Sequence, residues 1–222
     1  MSVSKRSVII IFELLPGLLP GVRITLLLTA LSASLALIIA FIVGFARLSK
    51  YRPVRFLATV FVEFFRGTSL LVQLFWAYFV LPFFGIELTA MQAGVLTLGL
   101  HYGAYASEIV RSSILAIPKG QTEAGISLNM TRVQIMQRII LPQAFLRMLP
   151  PFGNTFIEML KGTSLVSLIT LSDLMFQGVM IRSTTLRTTE TFALVLLLYF
   201  IIAIPFTLGV RWLERTLVRG RA

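Results

Sequence analysis

The chain has no cysteine, a single histidine and few charged residues among its 222 positions. Without cysteine it forms neither a disulfide framework nor a thiolate metal site. The lone histidine, His101, excludes a metal site built from several histidines. Lysine, arginine, aspartate and glutamate make up only 13% of the chain, which is too little to cover the surface of a soluble domain of this length. These absences exclude a soluble globular protein and a metal centre.

A nucleotide-binding loop is also missing. None of the lysines follows the G-x-x-x-x-G spacing that cradles phosphates, and no polar segment is long enough to form a nucleotide-binding domain. Serines are frequent, but one histidine and the few glutamates give no clear pairing of a nucleophile with a base. We therefore expect a chain that binds no cofactor or metal and catalyses no reaction itself.

The chain is rich in long apolar runs. Hydrophobic residues make up 57% of it and the mean hydropathy is +0.90. Several runs approach the roughly 20 residues that cross a bilayer as a helix. The sequence predicts an all-α, multi-pass membrane protein with five spans, at about residues 24–46, 56–79, 90–115, 145–179 and 192–212. The fourth is expected to be tilted or broken near Pro150-Pro151, and the fifth to be kinked near Pro205.

The two ends of the chain fall outside these spans. Residues 1–22 carry Glu13, Pro16 and Pro20 within a short apolar run, which predicts an extracytoplasmic lead-in lying on the membrane surface. Residues 23–216 then form a single transmembrane domain, and residues 217–222 form a cytoplasmic tail.

The distribution of positive charge sets the orientation. Most of the 20 lysines and arginines fall between the first two spans, in and beside residues 117–142, or after the last span. Such residues gather on the cytoplasmic side of inner membrane proteins. Five spans then place the amino terminus outside and the carboxyl terminus inside a bacterial cell membrane. The same rule accounts for the net charge of +11 without a nucleic acid partner.

One motif occurs twice. Residues 61–70 read FVEFFRGTSL and residues 156–165 read FIEMLKGTSL, an offset of 95 positions. Transporters often contain internal repeats, with the solute site near the membrane midplane between them. Both copies are therefore predicted to border a solute path. The candidate residues in them are Glu63, Arg66, Thr68, Ser69, Glu158, Lys161, Thr163 and Ser164.

Two interpretations of these charges remain open. Each glutamate stands three residues before a basic residue, so the two side chains can meet on one helical face. A lone charge at this depth costs at least ~2.5–3.5 kcal/mol, so pairing or a hydrated cavity is needed. The pairs either fix helix packing or present both signs of charge to a zwitterionic solute. His101 is interpreted either as a buried side chain bonded to a neighbouring helix or as a solute contact, and Glu108 with Arg111 as a pair that stabilises a helix end.

Residues 117–142 form the one long polar interruption between apolar segments. Gln121 to Leu128 predict a short helix on the membrane surface, and Asn129 suits a left-handed residue at its end. A capping box formed by Thr131 and Gln134 predicts a second helix, which Pro142 ends ahead of the fourth span. Ile126, Leu128 and Met130 would then be exposed, which indicates that a partner protein covers them.

This interruption resembles the EAA loop of ATP-binding-cassette (ABC) importer permeases, E-A-A, three residues, G, nine residues, I-x-L-P. Glu123 and Ala124 begin the match, while Gly125 stands at the second alanine and Asn129 at the glycine. FVEFFRGTSLLVQLFWAYFVLP, GAYASEIVRSSILAIPKGQTEAG and LPQAFLRMLPPFGNTFIEMLKGTSLVSLITLSDL look like the polar amino acid importer branch. That branch commonly has proline at Ser69 and an asparagine-like residue near His101.

The resemblance implies the five-span, methionine-importer-like (type I) permease fold with a cytoplasmic coupling helix. It implies a second permease subunit, two ATPase subunits that hold ATP and Mg²⁺, and an extracytoplasmic solute-binding protein. The solute would be a polar amino acid or a similar zwitterion such as ectoine. The residues implied to dock on the ATPase are Glu123, Ala124, Gly125, Ser127, Leu128, Asn129, Ile139, Leu141 and Pro142. An ion-coupled carrier or channel is the alternative function.

Overall fold

The computed structural model describes the backbone of residues 3–219 and the side chains of residues 13–210 and 212. Every regular element in that part of the chain is a helix. The α-helices are α1 (Val3–Arg47), α2 (Arg52–Gly67), α3 (Leu70–Phe75), α4 (Ala90–Leu115), α5 (Lys119–Ser127), α6 (Arg132–Ile135), α7 (Leu141–Gly162), α8 (Leu174–Thr185) and α9 (Thr188–Arg219). Wider or tighter turns extend three of them, at Trp76–Val80 and Leu81–Phe84 after α3, Met136–Ile140 after α6 and Thr163–Ile169 after α7.

Helix α1 starts well before the predicted first span. It continues through Pro16 and Pro20, and Leu14 and Leu18 are buried against α8 and α9. Prolines are tolerated inside membrane helices because neighbouring groups satisfy the carbonyls they free. The prediction of a surface-lying lead-in is therefore wrong for residues 13–22, which are part of the helix bundle. The side chains of Lys5 and Arg6 lie outside the described residues.

The predicted second span is two helical segments. The segment Arg52–Gly67 meets the segment Leu70–Phe84 at 103°. Thr68 and Ser69 between them have extended backbone, with φ of −116° and −71°. Gly67 is a weak helix former, and it stands immediately before two residues whose hydroxyls compete for backbone groups, which favours a turn here.

The predicted third span is confirmed as α4, which begins at a capping box formed by Thr89 and Gln92. It is the most enclosed helix and lies along α1. The two helices approach closely at Gly44, where a Cβ atom would lie 2.8 Å from Val110 Cβ and 3.0 Å from the carbonyl oxygen of Ser107. Only glycine fits this contact.

We expect Gly44→Leu to lower the stability of the bundle by about 1–3 kcal/mol, because the added atoms force α1 away from α4. The measurement is the thermal unfolding midpoint of the purified chain in detergent. Gly209→Leu is the matched control, since a Cβ there meets nothing within 4 Å. Equal midpoints for the two variants would contradict the close α1–α4 contact.

The fourth predicted span does break, but at its far end. Pro150 and Pro151 lie inside α7, and the chain bends by 51° between Arg132–Ile169 and α8. Thr170 adopts a left-handed conformation with φ +64°, and the buried Asp173 accepts a hydrogen bond from the backbone N–H of Phe176 at 2.9 Å. The N-terminal cap of α8 therefore fixes the break.

Two helical stretches, Glu13–Arg47 and Thr188–Val210, are long and apolar enough to cross a membrane on their own. The bent pairs α2–α3 and α7–α8 make two more if each counts as one span. α4 does not meet the same criterion, because its middle carries polar residues that the other helices enclose. The five predicted spans correspond to these five segments.

Candidate functional site

The polar loop has the predicted helix–turn–helix shape. α5 ends at Ser127, Asn129 is left-handed with φ +55°, and the reciprocal capping box of Thr131 and Gln134 starts α6. The loop therefore turns back on itself, as the spacing of these residues predicted.

The outer surface of the loop is apolar and carries one free carboxylate. Ile126, Leu128 and Val133 are 59%, 74% and 62% exposed, whereas Met130 is half-buried. Glu123 is exposed, and its carboxylate makes no hydrogen bond or ion pair with any described side chain. Exposed apolar groups beside an unpaired acid are typical of a surface that another protein covers.

Gly125, which replaces an alanine of the family pattern, is buried under the second arm of the loop. A Cβ atom there would lie 2.7 Å from Ile135 Cγ1 and 3.3 Å from Ile139 Cδ1. Glycine thus lets α5 pack tightly on α6 and on the turn Met136–Ile140. Ile139 and Leu141 are half-buried.

Pro142 does not end a helix, contrary to the prediction. The turn Met136–Ile140 widens, with the N–H of Leu141 donating to the carbonyl of Met136, and the chain runs on into α7. The wider turn accommodates a proline that lacks an N–H. The Gln143 side chain donates from Nε2 to the carbonyl of Ile139 at 2.8 Å. The loop is therefore joined rigidly to α7.

Two sets of contacts connect the helices that flank the loop. Arg147 on α7 donates from Nη1 to the carbonyl of Ala116 at 2.6 Å. Glu108 accepts hydrogen bonds from Arg47 at the end of α1 and from Arg111 Nη2 at 2.6 Å. The predicted Glu108–Arg111 pair is thus confirmed, and it includes a third partner that connects α1 to α4 next to the loop.

The first copy of the repeated motif lies at the α2–α3 break. Glu63 and Arg66 are exposed and form no ion pair with each other, so the first predicted pairing is wrong. Arg66 lies instead over the ring of Tyr105, with its Cζ 5.1 Å from the ring centroid. This contact with α4 draws the guanidinium away from Glu63.

The second copy lies at the end of α7. Glu158 and Lys161 are also exposed, and no ion pair joins them among the described side chains. Tyr102 donates from its hydroxyl to the carbonyl of Glu158 at 3.0 Å. A Cβ atom at Gly162 would lie 2.5 Å from that hydroxyl, so the motif's glycine makes room for it.

The hydroxyls of the motif mostly satisfy nearby backbone carbonyls, as predicted. Thr68 and Thr163 each donate to a carbonyl at 2.7 Å, and Ser164 donates to that of Lys161 at 2.9 Å. Thr163 is fully buried, which makes it a structural residue where α7 passes into the tighter turns. Ser69 is exposed and makes no side-chain capping bond.

The middle of α4 connects the two copies. The ring of His101 lies 5.2 Å from the rings of both Tyr102 and Tyr105, centroid to centroid. His101 is 9% exposed, and its Nδ1 lies 3.1 Å from Oε1 of Gln73 on α3. The interpretation of His101 as a buried histidine bonded to another helix is confirmed. Gln73 was not among the predicted residues, although a lone amide in an apolar run already indicates a buried polar contact.

On each of the two helices, polar residues form a stripe along one face, and the repeated motif lies at the end of that stripe. Helical spacing puts Thr59, Glu63 and Arg66 on one face of α2 and Asn154, Glu158 and Lys161 on one face of α7, again 95 positions apart. The stripes begin nearer the polar loop, at Arg52 and Arg147 respectively, and each runs for about 21 Å at ~1.5 Å per residue. They lead from the loop end of the bundle to the α2–α3 break and to the end of α7.

The described part of the chain does not enclose these stripes. Lys161 and Ser164 line a cavity of about 470 Å³ beside Tyr199, and Thr68 lines another of about 250 Å³. Neither cavity includes Arg66 or Glu158, which lie on open surface. Charged groups at this depth need a further wall or water.

The sequence is similar to a described protein family and to several of its members. Residues 32–219 match the family described as "Binding-protein-dependent transport system inner membrane component". A probable amino-acid ABC transporter permease protein of Sinorhizobium fredii is 44% identical over 184 residues, which are 80% of this chain and 77% of that one.

Two solved structures share the fold. One is a crystal structure of an amino acid ABC transporter with histidines, at 35% identity and TM-score 0.88, covering 94% of this chain and 97% of the other. The other is an inward-facing MetNI methionine ABC transporter, with TM-score 0.78 over 98% and 99% of the two chains. Its 20% identity shows the fold alone, and it confirms the methionine-importer-like architecture. This chain belongs to the family of inner membrane components of binding-protein-dependent transport systems.

Proposed function

We propose that this chain is the membrane-spanning subunit of an ATP-driven importer of a polar amino acid or a similar zwitterion such as ectoine. The observation that carries the proposal is the loop at 117–142, with an exposed apolar surface and an unpaired Glu123. The similarity to amino-acid ABC transporter permeases supports the solute class.

The similarity to ABC importer permeases supports the following partners. ATP and Mg²⁺ are held by two ATPase subunits that dock on the cytoplasmic loops, and this chain binds no cofactor of its own. A solute-binding protein delivers cargo on the other side, where the amino terminus lies. Closure of the ATPases moves the loop, and Gly125, Gln143 and Arg147 transmit that movement to α5, α7 and α4.

The solute path runs along the two polar stripes. Exposed charges of both signs suit a zwitterion, with Arg66 and Lys161 facing its carboxylate and Glu63 and Glu158 facing its ammonium group. The stripes are open in a single chain, so a second permease subunit, either a copy or a relative, closes the path. Thr68 and Ser69 at the α2–α3 break and Ser164 just after α7 provide the polar surroundings.

The test of this function is purification of the tagged chain from its native membrane, with the bound proteins identified. An ATPase bearing a phosphate-binding loop is expected in stoichiometric amount. The complex is then placed in liposomes with labelled L-histidine, L-glutamine, L-glutamate and ectoine as probes. Absence of any ATPase from the wild-type complex would overturn the proposal.

The natural absence of cysteine allows the path to be mapped directly. We expect Thr59→Cys and Asn154→Cys in the assembled transporter to react with a charged thiol reagent at least about tenfold faster than Val60→Cys, because ionised thiolate forms only in water. Val60 is the matched control, being 50% exposed on α2 beside Thr59. Equal, slow reaction at all three positions would show that the stripes are dry.

A further inference from the structure

The break between α2 and α3 contains a side chain that the repeated motif does not include. A helix that ends inside a membrane leaves carbonyls without hydrogen-bond donors, and no lipid group can provide such donors. At this break the side-chain amide of Gln73 is the donor. Its Nε2 lies 3.0 Å from the carbonyl oxygen of Phe65 and 2.6 Å from Oγ1 of Thr68, with the Thr68 carbonyl at 3.4 Å.

The second copy of the motif shows why this residue is specific to the first. The position equivalent to Gln73 at the offset of 95 is Leu168. There the chain continues as the tight helix Thr163–Ile169, and the N–H of Thr163 reaches the carbonyls of Lys161 and Met159. The chain does not break at this copy and its backbone groups find backbone partners, so an apolar residue suffices. The first break turns through 103° and depends on a side chain.

The other end of the Gln73 amide reaches toward the solute path. Its Oε1 lies 3.1 Å from Nδ1 of His101, which is buried. The His101 ring packs on that of Tyr105, and Tyr105 lies beneath the guanidinium of Arg66. Gln73 therefore contacts both ends of one unit, the backbone on either side of Arg66 and the aromatic surface on which Arg66 rests.

We propose that Gln73 is a positioning residue for the solute site. It stabilises the bend between α2 and α3 and holds the rings of His101 and Tyr105 in place. Arg66 is thereby presented to the carboxylate of a zwitterionic solute. Gln73 does not contact the solute. This inference rests on the proposed importer function and adds to it the origin of the geometry at the first break.

The first test is Gln73→Leu, which installs the residue of the second copy with little change in volume. In proteoliposomes containing the assembled transporter, the KM for whichever probe the wild type accumulates should rise roughly tenfold. The maximal uptake rate should stay within about twofold of the wild-type rate, because the substitution weakens solute binding and leaves the coupling loop unchanged. Gln177→Leu on α8 is the matched control, since the Gln177 side chain makes no hydrogen bond with the described residues.

The second test substitutes His101. His101→Phe should raise KM to the same extent as Gln73→Leu, and the double variant should be no worse than either, because the two side chains act as one unit. His101→Gln, which keeps a polar partner for Gln73, should return KM close to that of the wild type. A purely structural role would instead lower assembly and maximal rate and leave KM unchanged.

Variants that assemble too poorly for an uptake assay are tested by a measurement that needs no solute. In a Ser69→Cys background, the Gln73→Leu or His101→Phe change should raise the rate of thiol modification at the break at least about threefold, because the freed segment samples more conformations. Equal KM and equal modification rates in Gln73→Leu and Gln177→Leu would overturn the positioning role. Failure of the wild-type complex to accumulate any probe with ATP would overturn the importer function itself.

Discussion

Glu123→Arg is expected to release the partner ATPase from the transporter while leaving the permease folded. The carboxylate is exposed on α5 and makes no contact with other described side chains, so the substitution costs the permease little. At a docking surface, reversal of charge places a guanidinium where an acid is complementary, which costs several kcal/mol of association energy. We expect recovery of the ATPase with the tagged chain to fall by at least about tenfold.

Glu190→Arg controls for the charge change. Glu190 is exposed in the first turn of α9, on the side predicted to face away from the ATPase. Recovery of the ATPase with this variant should equal that of the wild type. Undiminished recovery with Glu123→Arg, from permease with an unchanged unfolding midpoint, would show that docking uses another surface.

Removal of Glu108 is the second change with a large expected effect. Glu108 accepts from Arg47 and Arg111, and its loss leaves two partly buried guanidiniums side by side. Breaking a buried ion pair by deleting one partner costs about 3–5 kcal/mol, and a partly exposed site lies at the low end of that range. Glu108→Ala should therefore lower the unfolding midpoint and the yield of assembled transporter.

The double variant Arg47→Met, Glu108→Met separates charge from packing. It removes Arg47, the more buried guanidinium, together with Glu108, so only Arg111, whose side chain is 31% exposed, is left without a carboxylate. Replacing a buried ion pair by apolar groups of similar size is often close to neutral. Its unfolding midpoint should lie above that of Glu108→Ala. If the double variant were the less stable of the two, the cluster would contribute through packing and the electrostatic explanation would be wrong.

The helix α4 connects the two functional regions. Its middle carries His101, Tyr102 and Tyr105, which contact both copies of the repeated motif, and its end carries Glu108 and Arg111 beside the polar loop. Tyr105 and Glu108 are only about one turn apart at ~3.6 residues per turn. We therefore expect α4 to pass movement of the loop to both copies of the motif as a single rigid element.

The sequence predicted the features that depend on local spacing. Asn129, the Thr131–Gln134 capping box and the limits of α4 are confirmed because each follows from residues within a few positions of one another. The predicted ion pairs Glu63–Arg66 and Glu158–Lys161 failed for the opposite reason. Helical spacing permits them, but Tyr105 on another helix offers Arg66 a competing contact.

Prolines were the least reliable markers. Pro16, Pro142 and Pro150 each indicated a break, and each lies within or between continuous helical turns. In a membrane bundle, wider turns and side chains of neighbouring residues satisfy the carbonyls that proline frees. The actual breaks follow Gly67 and Thr170, where hydroxyl side chains and a buried carboxylate redirect the backbone.

The most direct test of the whole account is uptake by proteoliposomes that contain the purified chain with or without its co-purified ATPase and solute-binding protein. We expect accumulation of one labelled probe only when all of these proteins and ATP with Mg²⁺ are present, and none in response to a proton or sodium gradient. Uptake by the chain alone, driven by an ion gradient without ATP, would contradict it and establish an ion-coupled carrier.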